Sequence, residues 1–335
     1  MDNLCHTLVG AALAEAGLRR KTPLATATLL IGANIPDVDG ILYWLKLPPE
    51  DALGFRRGWT HGILAVAVWP FVLAGLMLAW DRWVRRRGHP ERAPADPRLL
   101  VLLSLLAVAT PPFLDLLNTY GVRLLMPFSG HWFHGDTLFI ADPWLWLVLG
   151  VGWLVAVVLR RRGTAHPERA ARGALALTGA YVLAMAASNI EAQGIVRRAA
   201  IAEGGPAVEA LMISPLPVNP FRRGVVMQRD GGYELGSFDW LARPHYRPER
   251  IVRRETGLDA PAVRAAAAAT RAGRIFLDWA RFPVMDVVPV STGYQVYLAD
   301  ARYGLGGRSR FGKVAIFIPQ TISSPPAVNP PQESP

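Results

Sequence analysis

The chain has 335 residues, 51% of them hydrophobic, with a mean hydropathy of +0.22 and a formal net charge of +10. A single cysteine, Cys5, excludes an intrachain disulfide and any multi-cysteine metal site. The basic residues form clusters with no interleaved aromatic stripe, so binding to nucleic acid does not explain the charge.

Residues 4–18 read as a helix rich in small residues suited to close packing. They lack the basic leader of a cleaved signal peptide, and Asp2, His6 and Glu15 lie in or beside them. His6 falls in the first turn, where the helix dipole favours the neutral imidazole that a metal requires. A second short apolar segment, 22–33, follows Arg19-Arg20-Lys21, and the pair suits a tight helical hairpin in the membrane.

Next comes Asn34-Ile35-Pro36-Asp37-Val38-Asp39-Gly40. Pro36 biases Ile35 away from helical geometry, so an extended stretch is expected in which Asp37 and Asp39 point the same way. Neighbouring carboxylates repel and raise each other's pKa, a conflict that a bound cation removes. The alternative is a helix-ending turn with two solvated carboxylates. A connector over 41–59 ends in Arg56-Arg57-Gly58-Trp59, and Thr60 is the expected N-cap of the following helix, with His61 in its first turn.

Apolar runs at 61–80, 99–118, 142–159 and 173–190 each approach the length needed to cross a bilayer. Basic clusters occupy 19–21, 82–92 and 160–172. With all three in the cytoplasm the six apolar segments alternate, and both termini, the 34–60 and 119–141 loops and everything after about 191 lie outside. Asp115 interrupts one apolar run, where a charge is costly unless paired or bound to an ion. Asn118 shares its helical face, and Pro111-Pro112 should kink that helix. The 119–142 loop carries Arg123, Ser129, His131, Trp132, His134, Asp136 and Asp142, and Trp132, Trp144 and Trp146 fit an interfacial aromatic belt.

Composition changes at 191. Residues 225–228 and 233–238 flank Arg229-Asp230-Gly231-Gly232 as a hairpin, 260–281 reads as one amphipathic helix, and 284–290, 293–300 and 310–318 alternate like strands. The charges of this part read as solvated faces, and the tail from Ser323 is Pro-rich and expected to be disordered. The resulting class is mainly α: a polytopic helical membrane domain over 1–190, a small α+β extramembrane domain over 191–322, and the tail over 323–335.

The set His6, Asn34 to Asp39, Arg57-Gly58-Trp59-Thr60-His61 and Leu114-Asp115-Leu116-Leu117-Asn118-Thr119-Tyr120-Gly121, followed by Pro127-Phe128-Ser129, resembles the YdjM-like family of inner-membrane proteins regarded as metal-dependent hydrolases. The resemblance covers roughly residues 1–160, and the outer domain is like that of a longer subgroup. It implies a divalent-metal site built from His6, Asp37, Asp39, His61 and Asp115. The family pattern has a histidine four residues before the aspartate at 115, where this chain has Pro111. Three alternatives follow: that ligand is missing, His131 or His134 replaces it, or the site has lost activity.

The leading expectation is an integral-membrane metal-dependent hydrolase of the bacterial inner membrane, with its C-terminal domain on the periplasmic side. Mixed carboxylate and imidazole ligands suit Zn²⁺, Mn²⁺ or Fe²⁺. The metal would activate water, with an unligated aspartate, Asp136, as general base and Asp115, also a ligand, as the second catalytic candidate. Arg57, Arg123 and Asn118 are the candidate substrate-binding residues, and a phosphoester or lipid-linked ester at the bilayer surface is the expected substrate. The rival expectation is a non-enzymatic membrane protein with a structural metal site and a partner-binding outer domain. A transporter ranks third, since the polar groups lie near one face and no inverted repeat is visible.

Overall fold

The computed structural model describes residues 1–45, 48–304 and 311–320. Asp2 caps helix α1 (Asn3–Glu15) by accepting from the amides of Leu4 and Cys5. The chain turns through Leu18–Arg20 and returns as α2 (Ala25–Gly32). At 1.5 Å per residue these helices reach about 20 and 12 Å, short of the roughly 30 Å hydrocarbon core. They form the expected hairpin, packed so closely that a Cβ at Gly10 would lie 2.7 Å from the Leu29 carbonyl oxygen.

The segment after α2 corrects one expectation. Pro36–Gly40 is a 3-10 helix and not an extended strand. Pro36 occupies its first turn, where the missing amide costs nothing. Two short helices follow, α3 (Ile41–Trp44) and α4 (Pro49–Phe55).

Among the described residues, four helices are long and apolar enough to cross a membrane: α5 (Ile63–Trp80, continued by a π-helical turn to Arg85), α6 (Pro97–Leu116), α7 (Pro143–Arg161) and α8 (Glu168–Ala202). Asp96 and Asp142 cap α6 and α7, each with proline in the first turn. α5 starts after Gly62, so Thr60 is not its cap. Pro111 and Pro112 lie inside α6; the Ala107 carbonyl, which Pro111 cannot serve, accepts from the Thr110 hydroxyl at 2.8 Å. Leu76, Phe71, Leu102, Leu154 and Leu183 point outward, as a lipid-facing surface requires.

The basic clusters gather at one end of the bundle. Arg160 bridges to Glu15 at 3.1 Å and Arg20 to Glu168 at 3.0 Å, and the Asp96 amide donates to Thr22. The opposite end holds the Asp37 segment, the start of α5, the end of α6 and the C-terminal domain.

α8 does not end where the composition changes at 191. Its last turns carry Ala192, Val196 and Ala200 into a core with Leu211, Ile213, Met227 and Phe238. These belong to an antiparallel sheet ordered β1 (Ala210–Pro215), β2 (Arg222–Arg229), β3 (Gly232–Asp239), β4 (Tyr246–Arg253). The β2–β3 hairpin turns at Asp230-Gly231, both with positive φ, as its Asp-Gly signature requires. The second sheet is ordered β5 (Glu255–Gly257), β6 (Pro283–Val290), β7 (Gly293–Asp300), β8 (Lys313–Pro319), with β5 and β6 parallel.

The expected single helix over 260–281 is two, α9 (Pro261–Ala269) and α10 (Arg271–Trp279). They part at Thr270, which is extended and caps the second by accepting from the Gly273 amide. The start of the strand expected at 310 and the Pro-rich tail fall outside the described residues.

The second sheet and its helices share a core with the 119–142 loop. Tyr120 and Trp132 pack with Val263, Phe276, Trp279 and Val296. Trp132 is therefore a core residue and not part of an aromatic belt. The charges of this domain also depart from the solvated reading, because Arg223, Arg264 and Asp300 are buried.

Candidate metal centre

Four elements converge at the end of the bundle opposite the basic clusters. α1 supplies His6, the 3-10 turn supplies Asp37 and Asp39, the 56–62 turn supplies Arg57, Thr60 and His61, and the end of α6 supplies Asp115. All are buried, and Asp37 at 9% is the most exposed of the carboxylates and imidazoles.

His6 Nε2 lies 3.4 Å from Asp37 Oδ2 and 3.7 Å from Asp115 Oδ1. His61 Nε2 lies 3.5 Å from Asp37 Oδ1 and 3.2 Å from Asp115 Oδ2. Each of the two carboxylates thus offers one oxygen to His6 and the other to His61. Ligand atoms about 2.0–2.2 Å from a tetrahedral ion sit roughly 3.3–3.5 Å apart, so these separations fit a shared cation. Among the described residues, His6 Nε2, His61 Nε2, Asp37 Oδ2 and Asp115 Oδ2 are all buried without a hydrogen-bond partner. Leaving so many buried polar atoms unsatisfied is costly, and a cation among them removes the cost. One atom from each of His6, Asp37 and Asp115 falls within a mutual 4.8 Å. The donor set fits a divalent ion.

Asp39 plays a different part. In a 3-10 turn residues i and i+2 diverge, and its Oδ2 accepts from the Arg57 amide at 2.7 Å and the Thr60 hydroxyl at 3.0 Å. The same oxygen is 3.7 Å from His61 Nδ1, which lies 2.9 Å from Thr60 Oγ1. Asp39 and Thr60 therefore hold the back of the imidazole whose Nε2 faces the cluster. Carboxylates in this position fix ring orientation and tautomer at metal sites.

Arg57 closes the cluster from the C-terminal side. Its positive φ aims the amide at Asp39 while the guanidinium reaches Asp115 Oδ1 at 2.8 Å, Asn118 Oδ1 at 3.2 Å and the Gly121 carbonyl at 3.4 Å. The guanidinium also stacks 4.7 Å from the Tyr120 ring centroid. The amino group of Met1 lies against Asp115, and the Met1 carbonyl accepts from Arg57 at 3.2 Å. Burial, then Arg56, lowers the Arg57 pKa to about 10, so it stays charged at neutral pH. Burial opposes ionisation of Asp37, but His61, His6 and Arg57 outweigh it and hold the carboxyl below its usual range. Burial lowers the His61 pKa despite Asp37 and Asp39, favouring the neutral, ligating form.

The other residues singled out from the sequence are placed elsewhere. Asn118 accepts from Arg57 and from the Tyr120 amide at 2.9 Å, shaping the end of α6. Arg123 donates to the carbonyls of Gly54 at 2.5 Å and Arg56 at 3.1 Å and stacks on Trp132, and Gly58 leaves the space for it. Asp136 pairs with Arg281 of the C-terminal domain at 2.6 Å. Burial raises its pKa and Arg281 opposes the rise. His134 packs on Gly121 and His131 on Phe133. Sequence reasoning missed the roles of Met1, Thr60 and Tyr120, and those of Arg281, Trp279 and Arg302. Arg302 donates to the Thr119 carbonyl and Trp279 to that of Tyr120. Only Thr60, three residues from Arg57 and next to His61, carried a local signal.

The family model described as YdjM inner membrane protein matches residues 1–192, which include every residue of this cluster. The chain belongs to the YdjM inner membrane protein family. With its four apolar helices, this family member is a membrane protein associated with the lipid bilayer. It is also similar to the protein named "Uncharacterized protein YfhP" of Bacillus subtilis (strain 168), 29% identical over 160 residues, which are 44% of this chain and 43% of that relative. The match thus spans less than half of either protein. No solved structure matches the chain.

Proposed function

We propose that this YdjM family member is an integral-membrane metal-dependent hydrolase acting on a phosphoester or lipid-linked ester at the outer membrane face. The observation that carries the proposal is the set of buried, unpartnered atoms on His6, Asp37, His61 and Asp115, all turned toward one another. His6, Asp37, His61 and Asp115 would hold the ion, and Asp39 would hold His61 in place. A divalent ion (Zn²⁺, Mn²⁺ or Fe²⁺) supplies Lewis-acid polarisation of the scissile group. Asp115 lies between both imidazoles and Arg57, whereas Asp136 pairs with Arg281 of the C-terminal domain. Arg57, which pairs with Asp115, is the cation nearest the cluster for an anionic group, whereas Arg123 lies against Trp132 and the carbonyls of Gly54 and Arg56. Orientation follows from charge: with the three basic clusters in the cytoplasm, the chain is multi-pass and both the centre and the C-terminal domain face the periplasm.

Metal content measured by mass spectrometry on detergent-purified protein tests this reading. Wild type should carry stoichiometric metal that Asp37→Ala and His61→Ala lose; folded wild type that takes up neither Zn²⁺ nor Mn²⁺ would exclude it. A structural metal site with a partner-binding outer domain is the second reading, favoured by the engagement of Asp136 and Arg123 in packing. Metal-dependent turnover of phosphoesters by the loaded protein separates the two.

A further inference from the structure

The centre is closed on most sides. His6, His61 and Asp115 are 0% exposed and Asp39 is 2% exposed, and Asp37 also lines an open groove. That groove, of about 590 Å³, runs between α1 and α2. One wall is polar: Thr7 donates to the Asn3 carbonyl at 2.7 Å, and Asn34 Nδ2 donates to Thr7 Oγ1 at 3.1 Å. The other is apolar, with Ile31 at 43% and Val38 at 49% exposed. Beyond the rim, Leu4 and Ile41 are also exposed, at 49% and 54%.

Both helices are too short to cross the bilayer, yet they pack within a bundle whose outward surface is apolar. A groove between them, rimmed by exposed leucine, isoleucine and valine, presents the same kind of apolar surface as the bundle's outward face. Exposed apolar surface of this kind needs a covering, and in a membrane protein acyl chains supply it. Thr7, Asn34 and Asp37 give the groove its polar lining, beside the apolar Ile31 and Val38.

We infer that the α1–α2 groove is a lateral access path through which a bilayer phospholipid presents its head to the Asp37 side of the centre. Its acyl chain lies along Ile31 and Val38. Its head passes the polar wall of Thr7 and Asn34 on the way to Asp37. This rests on reading the Asp–His cluster as the reacting centre, and it narrows the substrate to a membrane phospholipid.

The full chain, reconstituted in nanodiscs containing a phosphatidylglycerol with a diazirine in its acyl chain, tests the path. After irradiation, peptide mapping should find adducts on residues 30–38 several-fold above those on the exposed α8 face around Leu183 and Ile190, which serves as a generic lipid-facing surface. Ile31→Trp, which fills the groove from an exposed rim position, should bring groove adducts down to the α8 level, while Ile31→Ala retains them. Excess soluble glycerol phosphate should not displace them. Equal labelling of groove and α8, labelling indifferent to Ile31→Trp, or full displacement by glycerol phosphate would each overturn the inference. Metal content measured on the same preparations reports separately on the centre: groove adducts without any metal would sink the hydrolase reading and leave the lipid path standing.

Discussion

At the scale of single residues, the centre is a problem of unsatisfied charge. Asp37 and Asp115 are buried carboxylates, and the imidazoles beside them turn unpartnered nitrogens inward. Asp39 differs by its neighbours alone: with Oδ2 held by the Arg57 amide and Thr60, it braces His61. Asp39→Asn keeps the shape and removes the charge behind the ring. It should weaken metal affinity by about 10–100-fold without abolishing binding, whereas Asp37→Ala should abolish it. Equilibrium dialysis against buffered Zn²⁺ distinguishes the two, and equal losses would show that Asp39 is itself a ligand. The residue types of the centre were legible in the sequence. The division of labour between the two aspartates was not, because it depends on a 3-10 turn that Pro36 permits but does not by itself specify.

At the scale of elements, small residues bring the helices close enough for the centre to form. A Cβ on Gly32 of α2 would lie 2.6 Å from the Ala107 side chain of α6, and one on Gly152 of α7 would lie 2.2 Å from the Ala174 side chain of α8. Van der Waals contact at such positions holds membrane helices together, since lipid offers no hydrophobic drive between them. Gly152→Leu should therefore part α7 from α8 and cost about 1–3 kcal/mol, read as a lower thermal midpoint in detergent. Because α7 also packs on α1, a partial loss of bound metal should accompany the shift. An unchanged midpoint would show that the α7–α8 contact yields without cost. The four long apolar runs announced their helices, but the break at Thr270 did not show. Apolar spacing runs straight through it, and only the hydroxyl capping Gly273 reveals a second helix start.

At the scale of the molecule, the C-terminal domain is fastened to the roof of the centre. Arg281 pairs with Asp136, Arg302 and Trp279 hold the carbonyls of Thr119 and Tyr120, and Tyr120 in turn stacks on Arg57. His134 lies in this junction. Burial, then Arg302 and Arg281, lower its pKa from the ordinary 6.5 to about 3. An unfolded chain takes up that proton as pH falls through 6.5, while the folded chain resists until about 3. Stability should thus decline on acidification across that window, by at most about 1.4 kcal/mol per pH unit from this group. His134→Gln should flatten the thermal midpoint's dependence on pH between 6.5 and 3. A profile as steep as wild type would assign the acid sensitivity to other groups.

The sequence by itself determined the membrane class, the four long helices, the family, and the residue types that meet at the centre. Hydropathy over some twenty residues and short motifs are local properties, and they survive without knowledge of the fold. The Asp-Gly hairpin at 230–231 was legible for the same reason, because φ preference resides in the residue. Only the tertiary structure decided which carboxylate faces the imidazoles and which braces one of them. It also decided that Trp132 enters a core instead of a lipid belt, that Asp136 answers to Arg281, and that α8 carries its last turns into a sheet. Each of these depends on a partner more than a few positions away in the chain, and burial by a distant segment leaves no mark on local composition.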